Sequence, residues 1–165
     1  MKTLYLIRHA KSSWKDITLN DFDRPLNKRG KLNADLMGNL LATQGIRPDL
    51  ILSSPANRAM STAKKLAESI GYSSDGVQYK QSIYEAGLNE LLGVIHQVDD
   101  SVNRLFLIGH NPSLNSLLDY LVPQNSIDNI VTAGIAEIQL RVNSWGDTAQ
   151  ASGELMQFEY PKKHY

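Results

Sequence analysis

Four side chains set the chemical question. Arg8 and His9 directly follow the apolar run Thr3 to Ile7, Arg58 lies in Ser54-Pro55-Ala56-Asn57-Arg58-Ala59 shortly after Leu50 to Leu52, and His110 follows Leu105 to Ile108. Guanidinium groups are planar, permanently charged donors that bind the oxygens of a tetrahedral oxyanion in bidentate fashion, which is what phosphoryl transfer needs for positioning and charge stabilisation. A neutral imidazole can attack phosphorus in line and carry the group covalently, dividing one difficult displacement into two easier ones. By residue type alone, either His9 or His110 can take that role. The chain has no cysteine, which excludes a thiol nucleophile, a disulfide framework and thiolate zinc sites. His9 and His110 have no third ligand at helical or loop spacing, so neither a metal nor a cofactor is expected.

The elements that must position these groups are legible from apolar periodicity. Thr3 to Ile7 reads as a buried strand, and after the polar stretch Lys11 to Arg24 the residues Leu32, Leu36, Met37, Leu40 and Leu41 recur at helical spacing until Gly45. Leu50 to Leu52 reads as a second strand, Ser53 to Asn57 as a turn, and Ala59 to Ile70 as a helix stopped by Gly71. A weak strand at Val77 to Tyr79, a helix near Asn89 to Val98, a strand at Leu105 to Ile108 and a helix marked by Leu114, Leu117, Leu118 and Leu121 continue the alternation. Two later strands follow, through Ala136 to Val142 and Met156 to Tyr160, around a loop at Asn143 to Gly153. Strands alternating with helices predict a three-layer α/β/α sandwich with a mostly parallel central sheet, and residues 1–165 are expected to form one domain. In such sheets ligands bind beyond the carboxyl ends of the strands, where the two arginines and two histidines would converge.

Seventeen basic residues balance seventeen acidic ones, which argues against a nucleic-acid surface or a polybasic membrane patch. No apolar run approaches the roughly eighteen residues of a membrane span, and Met1 to Ile7 does not read as an export signal. A soluble, cytoplasmic protein is the expectation.

Ile7-Arg8-His9-Ala10-Lys11-Ser12-Ser13-Trp14 resembles the signature of the histidine phosphatase superfamily, in the form found in its SixA-type phosphohistidine phosphatase branch. The resemblance continues through Asp23-Arg24-Pro25-Leu26 with Arg29-Gly30, Ser54-Pro55 with Arg58-Ala59 and Thr62-Ala63, and Gly109-His110-Asn111-Pro112, in the family's order. It implies a phosphoglycerate mutase-like fold with His9 as nucleophile, and Arg8, Arg58 and His110 gripping the phosphoryl group. Ser12, Trp14 and Asn111, from the same motifs, are the further expected substrate-binding residues. Where the mutase branch has Gly after the His and Asn five residues beyond it, this chain has Ala10 and Trp14, which points away from phosphoglycerate chemistry. Family members with a proton donor usually place an acid after the third strand, where Glu85 stands; Asp16, Asp21 and Asp23 compete for the role.

The roughly fifty residues between Arg58 and His110 are used up by the expected elements, which leaves no capping domain; only the loop from Ala10 to Arg24 can partly cover the site. An open pocket admits a phosphorylated side chain on a protein surface, so a phosphohistidine protein is the expected substrate. A small phosphate ester as substrate, or a catalytically silent phosphate-binding module, are the alternatives. Lys11, Lys15 and Lys28 are placed to add positive potential, His96 reads as a surface residue, and His164 as part of a frayed tail.

Overall fold

The computed structural model describes all of residues 1–165. Six strands form one sheet in the order β3-β2-β4-β1-β5-β6. They are β1 (Lys2–Arg8), β2 (Leu50–Ser53), β3 (Gln78–Tyr79), β4 (Arg104–Gly109), β5 (Ile135–Leu140) and β6 (Gly153–Glu159). β1 to β4 pair in parallel, whereas β5 is antiparallel to β1 and β6 to β5.

The expected three layers follow from strands that are apolar on both faces. On one side Leu4, Leu6, Leu105 and Leu107 pack with residues of α4 (Leu88–His96) and α5 (Ser113–Leu121), together with the buried ring of Trp145. On the other, Tyr5, Ile7, Phe106 and Ile108 meet α1 (Lys28–Thr43) and α2 (Asn57–Ile70). Adjacent strands β1 and β4 thus send their following helices, α1 and α5, to opposite faces. That divergence opens a crevice at their carboxyl ends.

Several local features differ from the sequence expectation. Leu32 is exposed, and the inner stripe of α1 is Gly30, Asn33, Ala34, Met37, Gly38 and Leu41, small enough for α2 to approach closely. The N-terminus of α1 is capped by Asn27, whose side chain accepts from the Gly30 N–H at 2.7 Å. Gly30 has no substitute there, because a Cβ would lie 2.0 Å from the Lys11 carbonyl oxygen, two residues beyond His9. A short helix, α3 (Gln81–Tyr84), precedes α4. The tail is not frayed. Pro161–His164 forms a 3-10 turn, Lys163 and His164 pair with Glu159, and the Tyr165 hydroxyl donates to Asn33. His96 is exposed, as expected, with Nε2 bonded to the Thr148 carbonyl. No helix is long and apolar enough to cross a membrane.

Candidate active site

Strand register builds the site. Ile7 aligns with Ile108 and Arg8 with Gly109, so the next residues, His9 and His110, leave the sheet side by side with ring centroids 5.1 Å apart. Ser53 aligns with Ile108 from the other side of β4, which sets Ser54 against the same histidine. The His9 N–H bonds the Gly109 carbonyl and the Ser54 N–H that of Ile108, so the ladder continues one residue beyond the strands.

Both imidazoles are buried, each 8% exposed, and their protonation follows from their partners. His9 Nδ1 lies 2.7 Å from the Ala10 carbonyl oxygen. A carbonyl only accepts, so Nδ1 carries the proton and the lone pair is on Nε2. Burial is the main reason the His9 pKa falls to about 3. The Ala10 bond opposes the fall, while His110, Arg58 and Arg8 deepen it. His110 is held at about 4, again mainly by burial and then by Arg58. Its Nε2 is 2.7 Å from Ser54 Oγ, an oxygen that already accepts from the Ala56 N–H. Of the two arrangements this contact allows, the one in which the Ser54 hydroxyl donates to Nε2 gives that proton an acceptor and puts the His110 proton on Nδ1. That Nδ1 is buried and has no protein partner.

Three arginines join them. Arg8 donates to the Ile130 carbonyl, Arg24 to Ser12 Oγ, and Arg58 to the backbone and carboxylate of Asp21. The Nε of each is buried and without a protein partner. Four buried polar atoms lacking partners, three of them cationic N–H groups, border one cleft of about 420 Å³. Buried donors left without a partner are costly, and a tetrahedral anion would satisfy them. Trp14 and Lys11 line the cleft as well, and no carboxylate does. No group of three or more His, Cys, Asp or Glu side chains is placed to hold a metal ion.

A family profile described as the histidine phosphatase superfamily (branch 1) matches residues 4–121. The chain belongs to this superfamily. An uncharacterised chloroplastic protein of Arabidopsis thaliana is 30% identical over 160 residues, spanning 92% of this chain and 72% of that protein. An uncharacterised protein of Mycobacterium tuberculosis is 30% identical over 165 residues, 94% of this chain and all of its own length. Among solved structures, an Agrobacterium tumefaciens protein provisionally assigned as the phosphohistidine phosphatase SixA superposes with TM-score 0.83 at 29% identity, covering 97% of this chain and 98% of that one. The protein histidine phosphatase SixA in complex with tungstate shares the fold at TM-score 0.85 and 19% identity, over 99% of both chains. Fold and family together make this chain a phosphatase of phosphoglycerate mutase-like architecture.

Of the residues expected at a histidine phosphatase site, Arg8, His9, Ser12, Trp14, Arg58, His110 and Asn111 all line the cleft. Asn111 spends its side chain on structure: it donates to Asn129 and Ile130 and accepts from the Asn115 N–H at the start of α5. Glu85 is an exposed residue just beyond α3 and does not line the cleft. The preceding Tyr84 does face inward, with its ring 5.7 Å from that of His110. Asp16 folds onto its own loop by accepting from the N–H and hydroxyl of Thr18. Asp23 stands in a 3-10 turn that Asn20 caps. Asp21 accepts from Arg24, Arg58 and Tyr84; partial burial would raise its pKa, but the Tyr84 and Arg58 bonds hold it at about 2, so it is ionised and has no proton to donate. Of the three lysines, only Lys11 lines the cleft.

Arg24 and Ser54 were not among the expected site residues, although both stand inside the quoted motifs. Arg24 is the Arg of Asp23-Arg24-Pro25, and its guanidinium carbon lies 3.5 Å from the Trp14 ring centre. Thr62, from Thr62-Ala63, holds the end of β1: its Oγ accepts from the Ala10 N–H at 3.0 Å.

Proposed function

We propose that the chain is a metal-independent protein phosphohistidine phosphatase that passes the phosphoryl group through His9. The observation that carries this reading is the make-up of the cleft: two imidazoles neutral at pH 7 and three arginines, with no carboxylate among its lining residues. Hydrolysis of an alkyl phosphate expels an alkoxide, which needs a well-placed acid. A phosphohistidine needs none when its other ring nitrogen carries a proton, because the leaving group is then neutral imidazole.

In the first step the His9 Nε2 lone pair bonds to phosphorus as the substrate P–N bond breaks. The Nδ1 proton, held by the Ala10 carbonyl, stabilises the phosphorylated imidazolium that results. Arg8, Arg24 and Arg58 bear on the equatorial oxygens, and His110 Nδ1–H adds a neutral donor. In the second step water attacks the phosphorus of phospho-His9. Inorganic phosphate leaves, His9 is restored, and one proton passes to solvent.

Access supports a protein substrate. Between Arg58 and His110 the chain is taken up by α2, β3, α3, α4 and β4, with no inserted domain to enclose a small ester. The likeness to the Agrobacterium protein points the same way.

The test compares kcat/KM on a histidine-phosphorylated protein, an alkyl phosphate and an aryl phosphate, each with chelator present. The expected order is phosphohistidine first, aryl ester next and alkyl ester last. A faster alkyl ester would replace this reading with a small-molecule phosphomonoesterase, loss of activity on chelation would reject the metal-free route, and no turnover of any of them would leave a binding module. Acid-quench trapping should label wild type and not His9→Ala; equal labelling would move the nucleophile elsewhere.

A further inference from the structure

Three of the chain's eight exposed large apolar side chains fall within six residues of one loop: Trp14 is 74% exposed, Ile17 93% and Leu19 37%. They are not scattered. With Asp16, Asp21 and Arg24 they wall a groove of about 400 Å³ that shares Trp14 and Arg24 with the phosphoryl cleft and so opens directly beside it.

Most polar atoms of this groove have partners within the protein. Asp16 accepts from Thr18, Asp21 accepts from Arg24, Arg58 and Tyr84, and Arg24 lies between Ser12, Asp21 and the face of Trp14. Apart from Arg24 Nε and one Asp16 carboxylate oxygen, what remains for a ligand is apolar surface. The loop is also held in place: the Ser13 N–H bonds the Pro25 carbonyl, the Leu19 N–H bonds that of Asp16, and Trp14 is stacked on Arg24. A loop anchored in this way keeps Ile17 and Leu19 in water at a standing cost, and apolar surface presented beside a site is the usual mark of a partner.

Charge and position decide which partner. The cleft is cationic and takes the phosphoryl group, while the adjoining groove is apolar; a ligand that fills both carries a phosphate next to an apolar side chain. A small ester with an apolar leaving group carries both as well; a folded protein is the occupant that agrees with the substrate class proposed above. We propose that this groove seats an apolar side chain of the phosphoprotein substrate next to its phosphohistidine, with Ile17 and Leu19 as the contact residues. The proposal rests on the phosphohistidine phosphatase reading above.

Ile17→Asp and Leu19→Ser test it, since neither residue lines the phosphoryl cleft and Ile17 is almost fully in solvent. Each variant of the full chain is assayed on a phosphotransfer domain phosphorylated on histidine and on phosphoramidate, with Tm recorded. The expected result is a rise in KM for the domain of about tenfold, as for loss of an apolar anchor, with kcat nearly constant and phosphoramidate turnover unchanged. Unchanged KM for a domain that wild type turns over would overturn the groove proposal alone. An equal loss on both substrates would also overturn it, because the loop would then be acting on the chemistry. Concentration-dependent dimerisation abolished by the same variants would reassign the groove to a second copy of the chain. Wild type that hydrolyses phosphoramidate but not the domain would overturn the phosphohistidine protein reading, and the groove proposal with it.

Discussion

The floor of the cleft and the arm that borders it are built on opposite plans. The floor is the carboxyl ends of β1, β2 and β4, where His9, His110 and Ser54 are buried and held by backbone register. The arm, from Ala10 to Arg24, has one isolated bridge, Ser12 to Leu26, and one 3-10 turn, and it exposes Trp14 and Ile17. Arg24 and Asp21 connect the two: Asp21 joins Arg24 on the arm to Arg58 on α2. Chemistry that depends on a particular tautomer needs a rigid, desolvated setting, whereas recognition of a second protein needs surface that water can leave. The difference teaches that, on the proposed function, the reaction and the choice of substrate should be separable by mutation.

Arg58→Ala gives the sharpest break. Removing a buried guanidinium from the transition-state charge should lower kcat by about 10²- to 10³-fold on protein and small substrates alike. Loss confined to the protein substrate would place Arg58 with the arm and collapse the distinction. Ser54→Ala is smaller and more specific. Without its hydroxyl, the His110 proton is no longer directed to Nδ1, and kcat should fall about tenfold, in the range of one lost hydrogen bond to a catalytic group. The readout is the ¹⁵N signature of the His110 tautomer, which should shift from Nδ1–H in wild type to a mixture in the variant; an Nε2–H signal in wild type would refute the assignment.

The mildest effect is on pH. His9 and His110 are lowered from 6.5 to about 3 and about 4, so NMR titration of the free protein should show both rings neutral down to about pH 5. Unfolded imidazoles take up protons below 6.5 and these two do not, so the fold should lose stability as pH falls from there toward 4. Asp21 has the same sign of linkage in a lower window: its contribution is complete above 3.8 and fades as pH falls toward its folded value of about 2. A Tm that stays level from pH 7 to pH 4 would show that the floor is wetter than described.

Much of this plan is legible in the chain. Apolar runs locate β1, β2 and β4 to within a residue or two, because burial on both sides of a parallel sheet leaves an uninterrupted apolar signature. The motifs bring seven of the eight expected site residues to one cleft. Glu85 is the exception, since its place was inferred from the order of elements, and the inserted α3 presents Tyr84 instead. Leu32 keeps helical spacing with the apolar residues of α1 yet lies outside the buried stripe, where Gly30, Ala34 and Gly38 pack closely; periodicity counts apolar residues and does not register small ones. The His164 tail looks frayed in sequence because the contact that ties its end down, Tyr165 to Asn33 on α1, spans most of the chain, although the pairing with Glu159 is local.

Sequence by itself determined which residues stand at the strand ends, since alternation, capping and turn chemistry act over a few neighbours. Tertiary structure decided their chemical state. The order β2-β4-β1 brings Ser54, His110 and His9 together; the burial that follows keeps both rings neutral, and the neighbouring oxygens bear on which nitrogen of each holds its one proton. Desolvation and charge are sums over everything nearby, and what is nearby is set by the fold.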